Sequence, residues 1–373
     1  MSALYILVAL LLLPVTVLLV QVVAALPAHR ARPMPAGRRA ALAVLVPAHN
    51  EARGIARTLR CIASQLAAGD RILVVADNCS DDTAAVAASA GVTVIERRDC
   101  GRRGKPYALD FGIRHLERDP PDAVVIVDAD CTLEAGALER LARLCLETGR
   151  PVQALYLMRG PRARLAELAW RVKNQVRALG SRRLGWPCLL TGSGMAFPWS
   201  IIRGARLASG ELAEDLKLTI DLVRAGACPV FCPEARVTSE FASGEGLRAQ
   251  RTRWEHGHLA LLLNEVPGLL LQALARREPK LAALAFDLCV PPLALLSLGA
   301  LALCAALPLS PLAGLPAALL GAAVLLAWAR YARDIPLASL AFAPRYALEK
   351  IPLYARFVIR RQVEWLRTRR DGE

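Results

Sequence analysis

Two aspartates one residue apart, Asp128 and Asp130, follow directly on the apolar run Val124-Val125-Ile126-Val127. In an extended chain residues i and i+2 point to the same side, so both carboxylates can face one site. A pair of hard oxygen donors suits Mg2+ or Mn2+, with phosphate oxygens completing the coordination shell. Asp-x-Asp also arises by chance in acidic turns, so the pair gains meaning only from what accompanies it.

The elements that would position the pair alternate along the chain. Residues 41–46, 71–76, 92–95 and 124–127 read as strands, rich in β-branched residues. The first ends in Pro47-Ala48-His49-Asn50-Glu51 and the second in Asp77-Asn78-Cys79-Ser80-Asp81-Asp82-Thr83, where Ser80 or Asp81 can cap the next helix. Helices are expected over 52–66, 107–116, 211–222 and 246–263, and further strands over 227–231 and 235–238. Strands alternating with helices imply a mostly parallel sheet with helices on both faces, and ligands bind such sheets outside the carboxyl ends of the strands. A basic, glycine-containing loop, 101–105, precedes one helix. Thr191-Gly192-Ser193-Gly194 forms a small-residue turn that lets a ligand or backbone come close.

Composition places this α/β domain beside a membrane. The chain has 373 residues, 55% of them hydrophobic, and a mean hydropathy of +0.35, too apolar for an ordinary soluble enzyme. Residues 4–26 are almost wholly apolar and long enough to cross a bilayer core. His29, Arg30, Arg32, Arg38 and Arg39 follow at once, which puts the next segment in the cytosol. A cleaved signal peptide fits less well, because no basic residue precedes the apolar run. Two more apolar spans, 281–307 and 312–329, fit a helical hairpin with both ends cytosolic. Residues 161–186 place Leu165, Leu168, Val172, Val176 and Leu179 at helical spacing, with Arg162, Arg164, Arg171, Lys173, Arg177, Arg182 and Arg183 between them. That is either an interfacial amphipathic helix or a surface helix packed on the core. Residues 335–370 mix aromatics and arginines, among them Arg360, Arg361 and Trp365, and read as a further interfacial segment. The net charge of +14 accords with a membrane surface. No zinc finger, basic zipper or RNA-recognition pattern accompanies it, which argues against nucleic acid. The ten cysteines are isolated, as in a reducing, cytosolic compartment.

The ordered set Val46-Pro47-Ala48-His49-Asn50-Glu51, Asp77, Gly104-Lys105, Asp128-Ala129-Asp130, Glu214-Asp215 and Gln250-x-x-Arg253-Trp254 resembles a membrane-bound family 2 glycosyltransferase of the cellulose-synthase-like group. The resemblance covers about residues 40–275 and the hairpin. It implies a GT-A fold, a Rossmann-like α/β domain in the cytosol with about three transmembrane helices. Domains would run 1–28 (anchor), 38–275 (catalytic), 281–330 (hairpin) and 335–373 (interfacial). It also implies roles. Asp215 is the general base, since a hydroxyl needs a carboxylate to take its proton as it attacks. Asp130 binds the metal. Asp128 contacts the nucleotide or the metal. Pro47, His49, Glu51 and Asp77 line the nucleoside site, and Lys105 approaches the ribose or phosphates. Arg253 neutralises the diphosphate with its planar fork of donors. Thr191, Gly192, Glu214, Gln250 and Trp254 serve the acceptor, although Trp254 fits equally well as a helix anchor. His256 and His258 are read as structural.

The departures bear on the acceptor. Ala213 stands where many relatives have Thr, and the 191–194 loop differs from their usual Gly-Thr-Gly or Cys-Gly. The expected activity is inverting transfer from a UDP-sugar, UDP-GlcNAc or UDP-glucose favoured, to a membrane lipid, lipid-linked or polysaccharide acceptor. The cofactor is Mg2+ or Mn2+, the location the cytoplasmic membrane, and polysaccharide-export partners are possible. Two rival readings stand beside it: a processive exopolysaccharide synthase with partner subunits, and a non-catalytic nucleotide-sugar-binding scaffold.

Overall fold

The computed structural model describes residues 2–31, 33–34, 39–160, 163–242 and 244–359. The expected residues Arg32, Arg38, Arg162, Arg360, Arg361 and Trp365 lie outside them. Contacts group the chain into two compact units, His29–Met158 with Cys188–Glu240, and Met1–Ala28 with Arg159–Pro187 and Phe241–Glu373.

The first unit is built on a sheet. Its strands are β1 (Leu42–Ala48), β2 (Arg71–Asp77), β3 (Thr93–Arg97), β4 (Ala123–Ile126), β5 (Thr132–Leu133), β6 (Val152–Arg159), β7 (Met195–Pro198) and β8 (Val230–Glu240), in the order β3-β2-β1-β4-β7-β6-β8-β5. The β1–β2, β1–β4 and β2–β3 pairs are parallel, as the alternation of strands and helices requires. The β4–β7, β6–β7 and β5–β8 pairs are antiparallel. The sheet is therefore mixed rather than mostly parallel: β7 runs against both β4 and β6, although helices separate these strands along the chain. The two short strands expected over 227–238 are one, β8, which runs through Pro233.

The core of this unit follows from the apolar runs. Ala43, Leu45, Leu73, Val75, Val124 and Ile126 are buried against Leu109, Ile113 and Leu116 of the helix Lys105–Leu116. Polar groups in the same unit secure the edge where β1 begins. Asp70 accepts hydrogen bonds from Arg39 (2.7 Å), Leu42 N–H (2.9 Å) and Ala67 N–H (2.8 Å), and Arg39 also pairs with Glu139. Burial pushes the Asp70 carboxyl up, but these donors outweigh it and hold it below the usual carboxylate range. A carboxylate depressed in the folded state contributes stability that is fully present above its unfolded value. That stability is lost as pH falls through the folded value. We expect Asp70→Asn to destabilise by about 1–2 kcal/mol at neutral pH, and the gap from wild type in thermal melts to close as the pH drops below about 4.

The second unit is helical. It contains Ser2–Ala25, the consecutive segments Arg164–Arg171, Val172–Arg177 (a π turn) and Ala178–Arg183, then Gly244–Arg276, Pro279–Leu288, Leu293–Cys304 and Leu315–Tyr331. The short helices Leu337–Phe342, Ala343–Leu348 and Ile351–Ile359 follow. Among the described residues three helices are long and apolar enough to cross a membrane: Ser2–Ala25, Gly246–Arg276 and Pro311–Tyr331. The first and last match the sequence reading. The middle one does not, since its helix was expected to stop at residue 263.

The expected span 281–307 is not a single helix. It breaks between Leu288 and Leu293 with a bend of 72°. Pro291 and Pro292 remove two backbone donors in succession and clash with the preceding turn, so a straight helix cannot continue. The basic face of 164–183 is also engaged within its unit. Arg171 pairs with Glu167 and Asp334, both at 2.5 Å. Arg177 pairs with Asp287 at 2.6 Å, and Arg183 donates to the carbonyls of Ala24 and Pro27. Packing onto protein, the second of the two readings, accounts for these arginines.

Candidate active site

Parallel strands deliver their carboxyl ends to one edge of a sheet, and β1, β2 and β4 do so here. β1 leads into His49 and Glu51, β2 ends on Asp77, and β4 leads into Asp128 and Asp130. Pairing with β4 stops at Leu45, so the missing N–H of Pro47 costs no bond to that neighbour. Val127 N–H donates to Leu45 O (3.1 Å), and Cys131 N–H turns back onto Asp128 O (3.0 Å). This turn brings the ligand atoms of Asp128, Asp130 and Cys131 within 4.8 Å of one another. Two carboxylates so placed form a fitting cradle for a hard divalent ion.

Lys105 opens its helix and reaches the same place. Its Nζ lies 2.5 Å from Asp128 Oδ1 and 3.9 Å from Glu214 Oε1, and donates to Gly192 O at 2.7 Å. Burial would lower the ammonium, but Asp128 and Glu214, with Asp215 behind them, raise it above an ordinary lysine. It is a fixed positive charge at neutral pH. Glu214 and Asp215 form the first turn of the helix Glu214–Arg224, where the helix dipole favours acidic side chains. Asp215 Oδ1 accepts from Leu216 N–H at 2.8 Å.

Gly192 shows how closely these groups converge. A Cβ on it would stand 3.4 Å from Lys105 Nζ, 3.6 Å from Asp215 Oδ2 and 4.0 Å from Asp128 Oδ2. Its φ of +88° is in the left-handed region that favours glycine. The loop around it is held from below. Gln153, fully buried, accepts from Thr191 N–H (2.9 Å) and donates to Ser193 O (2.9 Å). Ser193 Oγ accepts from Asp128 N–H (3.1 Å) and donates to Cys131 Sγ (3.2 Å). Burial, then Asp130 and Asp128, push the Cys131 thiol well up, so it stays protonated. Thr191 Oγ1 is buried with no hydrogen-bond partner among the described residues, an acceptor and donor left for something else.

The expected nucleoside residues gather at the ends of β1 and β2. His49 Nδ1 donates to Asp77 O at 2.7 Å. Asp77 is buried, and its Oδ1 accepts from Arg97 Nη1 (2.6 Å) and Asn78 Nδ2 (3.0 Å). Glu51 N–H donates to Thr83 Oγ1 at 2.7 Å. Asn50 and Asn78 adopt φ of +54° and +51°, a conformation asparagine tolerates better than most residues. Their side chains tie these loops to Ser80 and Asp99. Arg97 also lies over the Tyr107 ring at 5.5 Å. The N-cap position of the helix Thr83–Ser89 is Asp82, neither of the two expected caps; Asp81 accepts from Thr83 N–H (3.1 Å) and Ser80 hydrogen bonds to Asn50. The sequence reading missed Arg97, Asn78 and Gln153.

In the helical unit, Gln250, Arg253 and Trp254 lie near the start of Gly244–Arg276. Gln250 Oε1 is buried without a partner among the described residues. Trp254 packs on Trp170 with ring centroids 4.9 Å apart, and Trp170 meets Phe241 edge-on at 6.1 Å. This contact fits the anchoring reading of Trp254. His256 and His258 each bond a backbone carbonyl, of Leu353 (3.0 Å) and Leu288 (3.1 Å), as the structural reading expects.

The profile described as "Glycosyltransferase like family 2" matches residues 39–257, more than half of the chain. Over 144 residues the chain is 33% identical to an uncharacterised glycosyltransferase of Mycobacterium bovis, a match covering 37% of this chain and 62% of that protein. The chain thus spans less than two thirds of the length of that relative. Over 105 residues it is 35% identical to the 4,4'-diaponeurosporenoate glycosyltransferase of Staphylococcus aureus, covering 27% of each. A mannosyltransferase from Pyrobaculum calidifontis, solved in complex with GDP-Man and Mn2+, superposes with a TM-score of 0.56 at 21% identity. That match covers 95% of this chain and 100% of the other. It shows a shared fold.

Proposed function

The chain belongs to glycosyltransferase-like family 2 and has the GT-A fold, and from that premise we propose a metal-dependent, inverting transferase that works at a membrane. The observation that carries this is the convergence of Asp128, Asp215 and Lys105 on the space beside Gly192, with Asp130 next to Asp128. The proposed donor is a UDP-sugar, with UDP-GlcNAc or UDP-glucose favoured. The acceptor is a hydroxyl on a membrane lipid, a lipid-linked glycan or a growing polysaccharide, and the product is β-linked.

Each residue has a task in this reading. Asp215 takes the proton of the acceptor hydroxyl as it attacks the anomeric carbon. Asp128 and Asp130 would hold Mg2+ or Mn2+, which when bound would supply positive charge for a departing diphosphate. Lys105, held charged by its acidic neighbours, adds a second cation on the same side. Arg253 addresses the diphosphate with a rigid fork of donors. Pro47, His49, Glu51 and Asp77 line the nucleoside site, with Arg97 fixing the Asp77 carboxylate. Thr191, Gly192 and Glu214 are assigned to the acceptor in this reading, and so is Gln250 of the helical unit. The apolar helices Ser2–Ala25 and Pro311–Tyr331 fit a cytoplasmic-membrane protein with its catalytic domain in the cytosol.

Gly192 gives this reading a local test. A valine there would be strained at φ +88° and would fill the space between Lys105 and Asp215. We expect Gly192→Val to lower kcat about 100-fold, and to lower stability by no more than the backbone strain costs, about 1–3 kcal/mol, read by kinetics and a thermal melt together.

The reading as a whole is tested by nucleotide release from the purified chain in nanodiscs, with Mn2+ or Mg2+ and host lipids. The donor panel would hold UDP-sugars and GDP-mannose. Turnover with one donor, abolished by chelator and by Asp215→Asn, supports it. Nucleotide binding without turnover, unchanged by the substitution, overturns it in favour of the scaffold.

A further inference from the structure

Gln250, Arg253 and Trp254 recur at three and four along their helix and share one face. Arg251, Glu255 and Leu259 recur at four and stand on the opposite face. Within the helical unit that opposite face is gripped by residues 343–359. Glu255 forms an ion pair with Lys350, and its other oxygen accepts from the Tyr354 hydroxyl at 2.5 Å. The Arg251 guanidinium lies over the Tyr346 ring at 5.4 Å, and the Lys350 ammonium over the same ring at 4.9 Å. His256, beside Glu255, bonds Leu353 O and meets the Phe357 ring edge-on at 5.3 Å. Leu259 packs with Ala294, Ala347 and Tyr354.

These contacts differ in what they fix. Apolar burial is non-directional and singles out no one register or rotation of a helix by itself. A carboxylate with both oxygens committed does not. Glu255 is only 9% exposed, and a rotation or a one-residue slip of the helix would break both of its bonds and leave a buried charge unpaired. It adjoins Trp254 and lies two positions from Arg253, so whatever fixes Glu255 fixes the direction in which Arg253 leaves the helix.

We propose that residues 343–359 form a strut that positions the Gln250–Trp254 face, with Glu255, Lys350 and Tyr354 as the positioning residues that set the orientation of Arg253. The inference rests on the assignment of Arg253 to the diphosphate. The effect of the three positioning residues is expected on the rate of transfer and not on the capture of donor, because a guanidinium aimed at the developing charge acts mainly in the transition state.

The test uses the full chain in nanodiscs with Glu255→Gln, Lys350→Met, Lys350→Arg and Tyr354→Phe. Steady-state kinetics, thermal melts and hydrogen exchange over residues 248–260 are measured for each. Glu255→Gln and Lys350→Met are expected to lower kcat about 10- to 100-fold with donor KM within about twofold, while Lys350→Arg keeps most of the rate. Tyr354→Phe, which removes one hydroxyl, serves where a charge change prevents folding. It should speed exchange at 250–258 with the rest of the chain unchanged. Wild-type kcat in the variants overturns the strut, as does a loss that only tracks the fraction unfolded. Should wild type itself turn over no sugar, the functional reading fails and the exchange measurement alone decides. Faster exchange confined to 250–258 then supports the strut, and unchanged exchange sinks it.

Discussion

Asp215→Asn is expected to lower kcat by about three orders of magnitude while donor affinity stays within about threefold. The substitution is nearly isosteric. The amide oxygen can still accept from Leu216 N–H, as Asp215 Oδ1 does at 2.8 Å, so the first turn of the helix Glu214–Arg224 keeps its local bond. Lys105 keeps its 2.5 Å partner in Asp128 and its bond to Gly192 O, so the ammonium stays paired although the site loses one negative charge. What the amide lacks is a lone pair basic enough to take a proton from an attacking hydroxyl. Asp128→Asn makes the informative contrast. It removes the partner of Lys105 and one of the proposed metal ligands together, so Mn2+ affinity should fall along with the rate. Steady-state kinetics and Mn2+ titration of both variants separate the two roles. A residual rate above about a tenth of wild type in Asp215→Asn would point to Glu214 as the base, since it neighbours the same ammonium at 3.9 Å.

Asp77, Asp128, Asp130 and Asp215 were legible in the sequence for a local reason. Each stands at the end of an apolar run or the start of a periodic one, and such junctions are where an α/β sheet exposes side chains. Arg97, Asn78 and Gln153 were not legible. Gln153 and Arg97 act through partners distant in sequence, the 191–193 loop and Asp77, and nothing in their neighbours marks them, while Asn78 adjoins Asp77 but does its work through its backbone φ and its bond to Asp99. The antiparallel half of the sheet was hidden for the same reason, because pairing direction is a property of two segments.

Proline misled in both directions. The strands expected over 227–231 and 235–238 leave a gap around Pro233, yet β8 runs through it. Pro291-Pro292 sat inside a run whose hydrophobicity concealed a 72° bend. The helix after Gly244 was stopped at residue 263, before the polar pair Asn264-Glu265, but it continues past Pro267 to Arg276. Composition alone does not tell a helix end from a polar turn inside one.

Arg177→Met alone is expected to destabilise the protein by about 3–5 kcal/mol, and Arg177→Met with Asp287→Leu by far less. Arg177 and Asp287 are 6% and 5% exposed at the side chain and pair at 2.6 Å. Arg177 also donates to Asp287 O at 2.6 Å and to Gln21 Oε1 at 3.0 Å. Gln21 donates in turn to Asp287 Oδ1 (2.8 Å) and Ser181 Oγ (2.9 Å). The network ties three segments of the helical unit, Ser2–Ala25, the 172–183 stretch and Pro279–Leu288. It does so where the first two touch backbone to backbone. A Cβ on Gly180 would stand 2.1 Å from Gln21 O, so no larger residue fits there. Removing the guanidinium leaves a carboxylate stranded among apolar side chains, with only Gln21 and Ser181 to satisfy it. Removing both charges strands nothing and trades an ion pair for packing. The two single losses should therefore exceed the double loss when summed, and the excess measures the coupling. A thermal double-mutant cycle in nanodiscs reads it directly. Additive losses would mean that each charge finds water or lipid headgroups on its own, and that the shared bonds to Gln21 do not hold these helices together.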